Sequence, residues 1–210
     1  IPWTRTNNQI LLKLNYQLNE KNLFSFRYTH DKPYEKNVWA GGIYAPEVAC
    51  TDYYQDDTLQ LNWTNYPSNN TLNEVRLQYS RQDVRIDTPL PDAYGVSRPS
   101  LYTGKYINQP QECFEYRYQI VDSFSIFLDK HQIRLGVDFS YLDAKGFVYN
   151  YNPGYVIFNT DDPFNPADPN TYPFLFIYTK GDPNFKYPTV NSGIYVQDSW
   201  RVISNLTLNF

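Results

Sequence analysis

The chain has 210 residues, with 21 tyrosines, 13 phenylalanines, no methionine and a formal net charge of −4. So mild a charge, with no Lys/Arg cluster, lacks the electrostatic footprint of a nucleic-acid binder. No run of about 18 apolar residues supplies a transmembrane helix, but a transmembrane strand needs only roughly 9–11 alternating residues, and this aromatic, turn-punctuated composition favours strands.

Residues 9–17 alternate, with Ile10, Leu12, Leu14 and Tyr16 on one face and Lys13, Asn15 and Gln17 on the other, after an apolar Leu11. A polar turn at 18–22 leads to a second alternating run, Phe24, Phe26 and Tyr28 against Ser25, Arg27 and Thr29, which predicts a hairpin. The alternation then stops, and a long loop is expected near 31–57. A second hairpin follows, with Leu59, Leu61 and Trp63 on one strand, a turn at 66–71, and Val75, Leu77 and Tyr79 on the next. Prolines and glycines predict another long loop near 85–113.

Phe114, Tyr116, Tyr118 and Ile120 open a fifth strand running to about Leu128. After a short turn comes the cleanest strand, Ile133, Leu135, Val137, Phe139 and Tyr141 alternating with Arg134, Gly136, Asp138 and Ser140. A third long loop is expected near 149–190, with an apolar patch at 174–178 able to form a short strand or fold inward. Residues 193–202, a turn at 203–205, and Leu206, Leu208 and Phe210 complete eight strands. The chain opens without Met or a signal-like stretch and stops within an alternating run, so it reads as a piece of a longer protein.

Every second connection is tight and the others are long, which a soluble sandwich has no reason to do. Outer-membrane barrels do, with short periplasmic turns, long extracellular loops, and apolar-out, polar-in strands. The fold expected is therefore all-β: an antiparallel up-and-down transmembrane barrel fragment, one partial domain over 1–210. Tyr16, Tyr28, Trp63, Tyr79, Tyr116, Tyr141 and Trp200 are candidates for the interfacial girdles.

Gly193-Ile194-Tyr195-Val196-Gln197-Asp198-Ser199-Trp200-Arg201-Val202, followed by Leu206-Thr207-Leu208-Asn209-Phe210, resembles a recurrent hairpin of TonB-dependent outer-membrane receptors, nearest the Oar-like, carboxypeptidase-regulatory-domain subgroup. His131-Gln132-Ile133-Arg134-Leu135-Gly136 is similar to another hairpin of that family. The resemblance implies a barrel of about 22 strands in the outer membrane of a Gram-negative cell. It further implies an N-terminal plug and energised import of a bound ligand through TonB. The partners expected are outer-membrane lipid, the plug of the same parent chain, TonB through a region outside this chain, and a bulky ligand such as a glycan, peptide or metal chelate. Two other readings stand beside it: a secreted, aromatic-rich β-sandwich or lectin-like binding module, and an outer-membrane adhesin or secretion-associated barrel.

Loop aromatics Tyr34, Trp39, Tyr44, Tyr53, Tyr54, Tyr102, Tyr106, Tyr155 and Phe158 either stack on a ligand or pack the loops onto one another. Cys50 and Cys113 are expected in the first and second long loops, where a disulfide could join them. Asp161, Asp162 and Asp168 offer oxygen ligands for calcium but lack EF-hand spacing, and turn formation explains them equally well. Arg27, Arg76, Arg117, Arg134 and Asp138 should line the lumen, facing plug, substrate or water. Asp56-Asp57 reads as a turn pair. With two histidines, no nucleophile motif and no phosphate loop, neither catalysis nor a cofactor is expected.

Overall fold

The computed structural model describes residues 1–210, which form twelve strands. They are β1 (Thr4–Asn19), β2 (Asn22–Val38), β3 (Cys50–Ser68), β4 (Thr71–Asp87), β5 (Gly95–Ser97), β6 (Tyr102–Gly104), β7 (Gln111–Phe127), β8 (His131–Val148), β9 (Tyr155–Phe158), β10 (Pro173–Ile177), β11 (Asn184–Ile203) and β12 (Leu206–Asn209). Eight of them make one antiparallel sheet in the order β1-β2-β3-β4-β7-β8-β11-β12, each long strand beside its sequence neighbour. The sheet is the up-and-down wall expected from the alternation, with β1 and β12 as its open edges.

The four tight turns lie at one end, and local polar side chains close two of them. Asn19 Oδ1 accepts from the Lys21 amide at 3.0 Å, and Thr71 Oγ1 accepts from the Ser68 amide at 3.0 Å. Side-chain oxygens of this kind take amides that the ladder leaves free at a turn.

Seven wall strands run 16 to 20 residues, well beyond the roughly 9–11 needed to cross a bilayer. The first long connection is therefore shorter than expected. Residues 31–38 and 50–56 are paired strand, and only 39–49 lie between the strands. Alternation had stopped there because it records lipid on one face. Beyond the bilayer both faces meet water, and the ladder continues without the pattern. For the same reason β11 begins at Asn184, well before the alternating run at 193. Asp56 and Asp57 are strand residues of β3, not a turn.

Register divides the sheet into two faces. One hydrogen-bonded level runs Leu14, Phe26, Leu61, Leu77, Ile120 and Phe139. The next residue along each strand gives Lys13, Arg27, Gln60, Gln78, Gln119 and Ser140, all on the opposite face. On the apolar face Tyr28, Tyr79, Tyr118 and Tyr141 share the following level towards the loops, and the rings of Tyr79 and Tyr118 lie 5.2 Å apart. Towards the turns, Phe24 stacks on Trp63, whose Nε1 donates to Asn22 Oδ1 at 3.0 Å. Aromatic rings thus bound the apolar band at both ends, as interfacial girdles do. Tyr116 sits one level further towards the loops than that row, and Trp200 stacks on His131 near a turn.

The stagger of the turns gives the strand tilt. One hydrogen-bonded level joins Asn22, the first residue of β2, to Val196 of β11, five strand steps away and seven residues short of that strand's end at Ile203. With turns at one membrane depth, a rise of about 3.3 Å per residue and a strand spacing of about 4.8 Å, the tilt is about 44°, in the range of membrane barrels.

A soluble sandwich would have to cover the apolar face with a second sheet. A second sheet exists, in the order β10-β9-β5-β6, but it is built from the long connections and leaves Leu77 43% and Phe139 46% exposed. Contiguous apolar surface of that kind belongs against lipid.

Candidate functional site: an aromatic lid above a polar wall

The polar face of the sheet carries Arg27, Arg76, Arg117, Arg134 and Asp138 together, as their strand positions predicted. Near the turns Arg134 joins a network with Ser123, Glu74 and Tyr195. Arg134 Nε donates to Ser123 Oγ at 2.6 Å and its guanidinium lies 3.5 Å from Glu74, while the Tyr195 hydroxyl reaches the same Ser123 at 3.3 Å. Gly136 permits this arrangement: a Cβ there would stand 2.1 Å from Cζ of the Tyr195 ring. Further along, Gln119 Nε2 donates to both oxygens of Asp138, at 2.8 and 3.0 Å. Strands β3, β4, β7, β8 and β11 all contribute to one concave polar cavity lined by Asn62, Glu74, Arg76, Arg134 and Gln197, among others.

The three long connections meet at the other end. Tyr102 of β6, only 4% exposed, is their centre. Its ring contacts Tyr44 from the first connection at 5.1 Å, Tyr106 from the second at 5.9 Å and Tyr155 from the third at 5.8 Å. Its hydroxyl donates to the Lys105 carbonyl at 3.0 Å. Burial, then the neighbouring tyrosine hydroxyls, hold the Tyr102 phenol above its ordinary range. Lys105 is 3% exposed, and its Nζ donates to the Pro91 carbonyl at 2.7 Å while burial lowers its pKa. Trp39 stacks on Tyr106 at 5.4 Å, and Arg98 lies 3.9 Å above the Phe158 ring while donating to the carbonyls of Thr160 and Asp162.

Of the nine aromatics singled out in the sequence, Trp39, Tyr44, Tyr102, Tyr106, Tyr155 and Phe158 pack the connections onto one another. Tyr34, Tyr53 and Tyr54 lie on β2 and β3 rather than in a loop, with Tyr34 and Tyr53 paired across strands and their rings 5.2 Å apart.

The disulfide expectation is corrected. Both cysteines are free. They lie on β3 and β7 with β4 between them, and Cys113 is level with Tyr54, four residues along the strand from Cys50. Two strand spacings and four residues separate their Cα atoms by roughly 16 Å, more than twice the reach of a bridge. Cys50 Sγ instead donates to Asp52 Oδ1 at 3.2 Å, beyond the apolar band and beside Gln109 of the second connection. Burial, then Asp52, pushes its thiol up to about 12, so it stays protonated.

The acidic residues of the third connection serve the loop. Asp161 accepts from the Ser100 amide at 3.0 Å, Asp162 from Thr160 Oγ1 at 2.7 Å, and Asp168 from the Asn170 amide at 3.0 Å. No three His, Cys, Asp or Glu side chains converge as a metal site would require. Both histidines face the lipid side of the sheet, each held by one carboxylate: His30 by Asp57 at 2.8 Å and His131 by Asp198 at 2.7 Å.

Sequence reasoning missed Lys105, Gln109, Ser123 and Tyr195. Gly136 was a signal for Tyr195, because a glycine within an otherwise regular strand marks close approach. Lys105 and Gln109 are defined by neighbours that only the folded connections bring near, and Ser123 by the register of β7, β8 and β11.

The sequence matches the outer membrane beta barrel domain family over residues 2–210. No curated protein matches it. Among solved structures it is similar to the outer membrane transporter YddB from Escherichia coli, with a TM-score of 0.61 and 9% identity over 99% of this chain. The chain spans 26% of that transporter's length, and at such identity the likeness shows the fold alone.

Proposed function

The chain belongs to the outer membrane beta barrel domain family, and from that premise we propose that it supplies part of the wall and lid of a TonB-dependent importer of the Oar-like kind. The barrel lies in the outer membrane. On this reading a plug, carried elsewhere in the parent chain, fills the lumen against the polar face of β3, β4, β7, β8 and β11. A bulky glycan, peptide or metal chelate enters from the lid side, and TonB drives its release inward. No residue of the chain is given a catalytic role.

One observation carries the proposal. All three long connections leave the same end of the wall and fold together, and the second reaches Cys50 on the polar side of the sheet through Gln109. An adhesin needs loops projecting outward, whereas an importer needs loops that cover its lumen and open to a ligand.

The test uses the full-length protein in detergent, passed over the immobilised periplasmic domain of TonB from the same organism. Retention through a segment upstream of the barrel is expected. No retention, together with a reading frame that lacks a plug-sized segment before this chain, would overturn the importer and leave an adhesin or secretion barrel.

A further inference from the structure

We infer that the cavity between the two ends of the third connection is a subsite for one or two rings of a neutral oligosaccharide. It lies where the chain leaves β8 and rejoins β11, has a volume of about 320 Å³, and is lined from 148–152 on one side and 179–187 on the other. As a choice among an importer's ligands the inference rests on the transport reading, while binding itself is testable apart from transport.

Two aromatic rings form one wall. Phe185 and Tyr187 occupy alternate positions of β11, on the same face as Tyr195, whose hydroxyl reaches Ser123 on the polar side of the sheet. Their rings lie nearly parallel, with planes 17° apart and centres 5.5 Å apart, and both line the cavity. Tyr187 is level with Ala144, three residues beyond Tyr141 of the girdle. On a strand tilted by about 44° that is about 7 Å above the girdle. The cavity therefore sits at the mouth of the lumen, on the lid side of the bilayer.

The other wall is polar and held in place. The Tyr149 and Tyr151 amides donate to the carbonyls of Pro110 and Ile107 at 3.3 and 2.7 Å, and the Val148 amide donates to that of Pro183 at 3.1 Å. The second connection thus braces the rim of the third. Asn150 gives its carbonyl, not its side chain, to the Thr179 hydroxyl, so its amide is free for a ligand beside that of Asn152. Asp182 takes the backbone and side-chain amides of Asn184 on Oδ1, at 3.0 and 2.6 Å, which holds its carboxyl below the usual range and leaves Oδ2 to accept. Lys180 makes no ion pair.

An aromatic wall facing amides and a carboxylate matches the chemistry of a pyranose. Its C–H bonds suit the aromatic faces, and its vicinal hydroxyls, each both donor and acceptor, suit Asn150, Asn152 and Asp182. One lysine and one carboxylate leave the cavity without net charge, whereas an anionic metal chelate calls for several cations. Ligand pockets span about 300–1,000 Å³, so this one holds a ring or two at the end of a chain. A rim braced before the ligand arrives lowers the cost of ordering it.

The test is isothermal titration of the full-length protein, in an amine-oxide detergent that carries no sugar, with neutral gluco-, manno-, galacto- and xylo-tetrasaccharides of α and β linkage. At least one should bind. Tyr187→Ala should weaken that binding about 10-fold and Asn152→Ala about 5-fold, while Tyr187→Phe, which keeps the ring, retains it. Should Tyr187→Ala lose the heat-modifiable migration of a folded barrel, Asn152→Ala decides. No binding by any member overturns the subsite, and so does equal binding by wild type and the alanine variants, which places the sugar elsewhere. Tighter binding of a tetrapeptide or an oligouronate that Tyr187→Ala abolishes overturns the ligand class. Retention by TonB is read separately: its loss with sugar binding intact removes the importer and leaves a glycan-binding barrel.

Discussion

Leu77→Arg is expected to lower the stability of the full-length barrel in lipid vesicles by about 2–4 kcal/mol, and Gln78→Arg by less than about 0.5 kcal/mol. The two residues are neighbours on β4, yet Leu77 lies between Leu61 and Ile120 in the apolar band and Gln78 lies between Gln60 and Gln119 on the polar face. An arginine in place of Leu77 would have to enter lipid or distort the bilayer to reach water. At position 78 it joins a wall that already carries Arg27, Arg76 and Arg117. The urea midpoint reads the difference, and equal shifts for both variants would mean that the faces have been wrongly assigned.

Tyr102→Ala should cost the lid about 3–5 kcal/mol of local stability. Tyr102 is the buried ring that all three connections share, and truncation also leaves the Lys105 carbonyl without its donor. Hydrogen exchange should accelerate in β5, β6 and β9, while the urea midpoint of the barrel stays unchanged because the wall strands pair independently of the lid. Tyr102→Phe keeps the packing and loses one hydrogen bond, a change of about 1 kcal/mol. Unaltered exchange in the alanine variant would show that the connections hold themselves apart from Tyr102.

The parts of the fold legible in the sequence are those that lipid dictates. A strand with hydrocarbon on one side must alternate, so Ile133 to Tyr141 could be read residue by residue, and the tight turns followed from where alternation broke briefly. Beyond the band water reaches both faces, and the strand character of 31–38 and 50–56 left no pattern to read. Sequence alone leaves Cys50 and Cys113 free to pair, because it reveals neither the strand that lies between them nor the four-residue offset along it.

The aromatic residues of the lid were legible as a set, but their partners were not. Tyr44, Tyr102 and Tyr155 come from three connections and meet only through a small sheet in which β5 and β9 pair in parallel. Three- and four-residue strands carry too few positions for any period to emerge.

The central claim is that the face of this wall bearing Leu77 and Phe139 meets lipid and the other face meets the lumen. The most direct measurement places single nitroxide labels along β8 from residue 133 to residue 141 in the full-length protein in lipid vesicles, with Cys50 and Cys113 replaced by serine. Labels at Ile133, Leu135, Val137, Phe139 and Tyr141 should respond to oxygen dissolved in the bilayer, and those at Arg134, Asp138 and Ser140 to a water-soluble nickel chelate, with a period of two residues. Access of the nickel chelate to both sets, with no such period, would contradict the account.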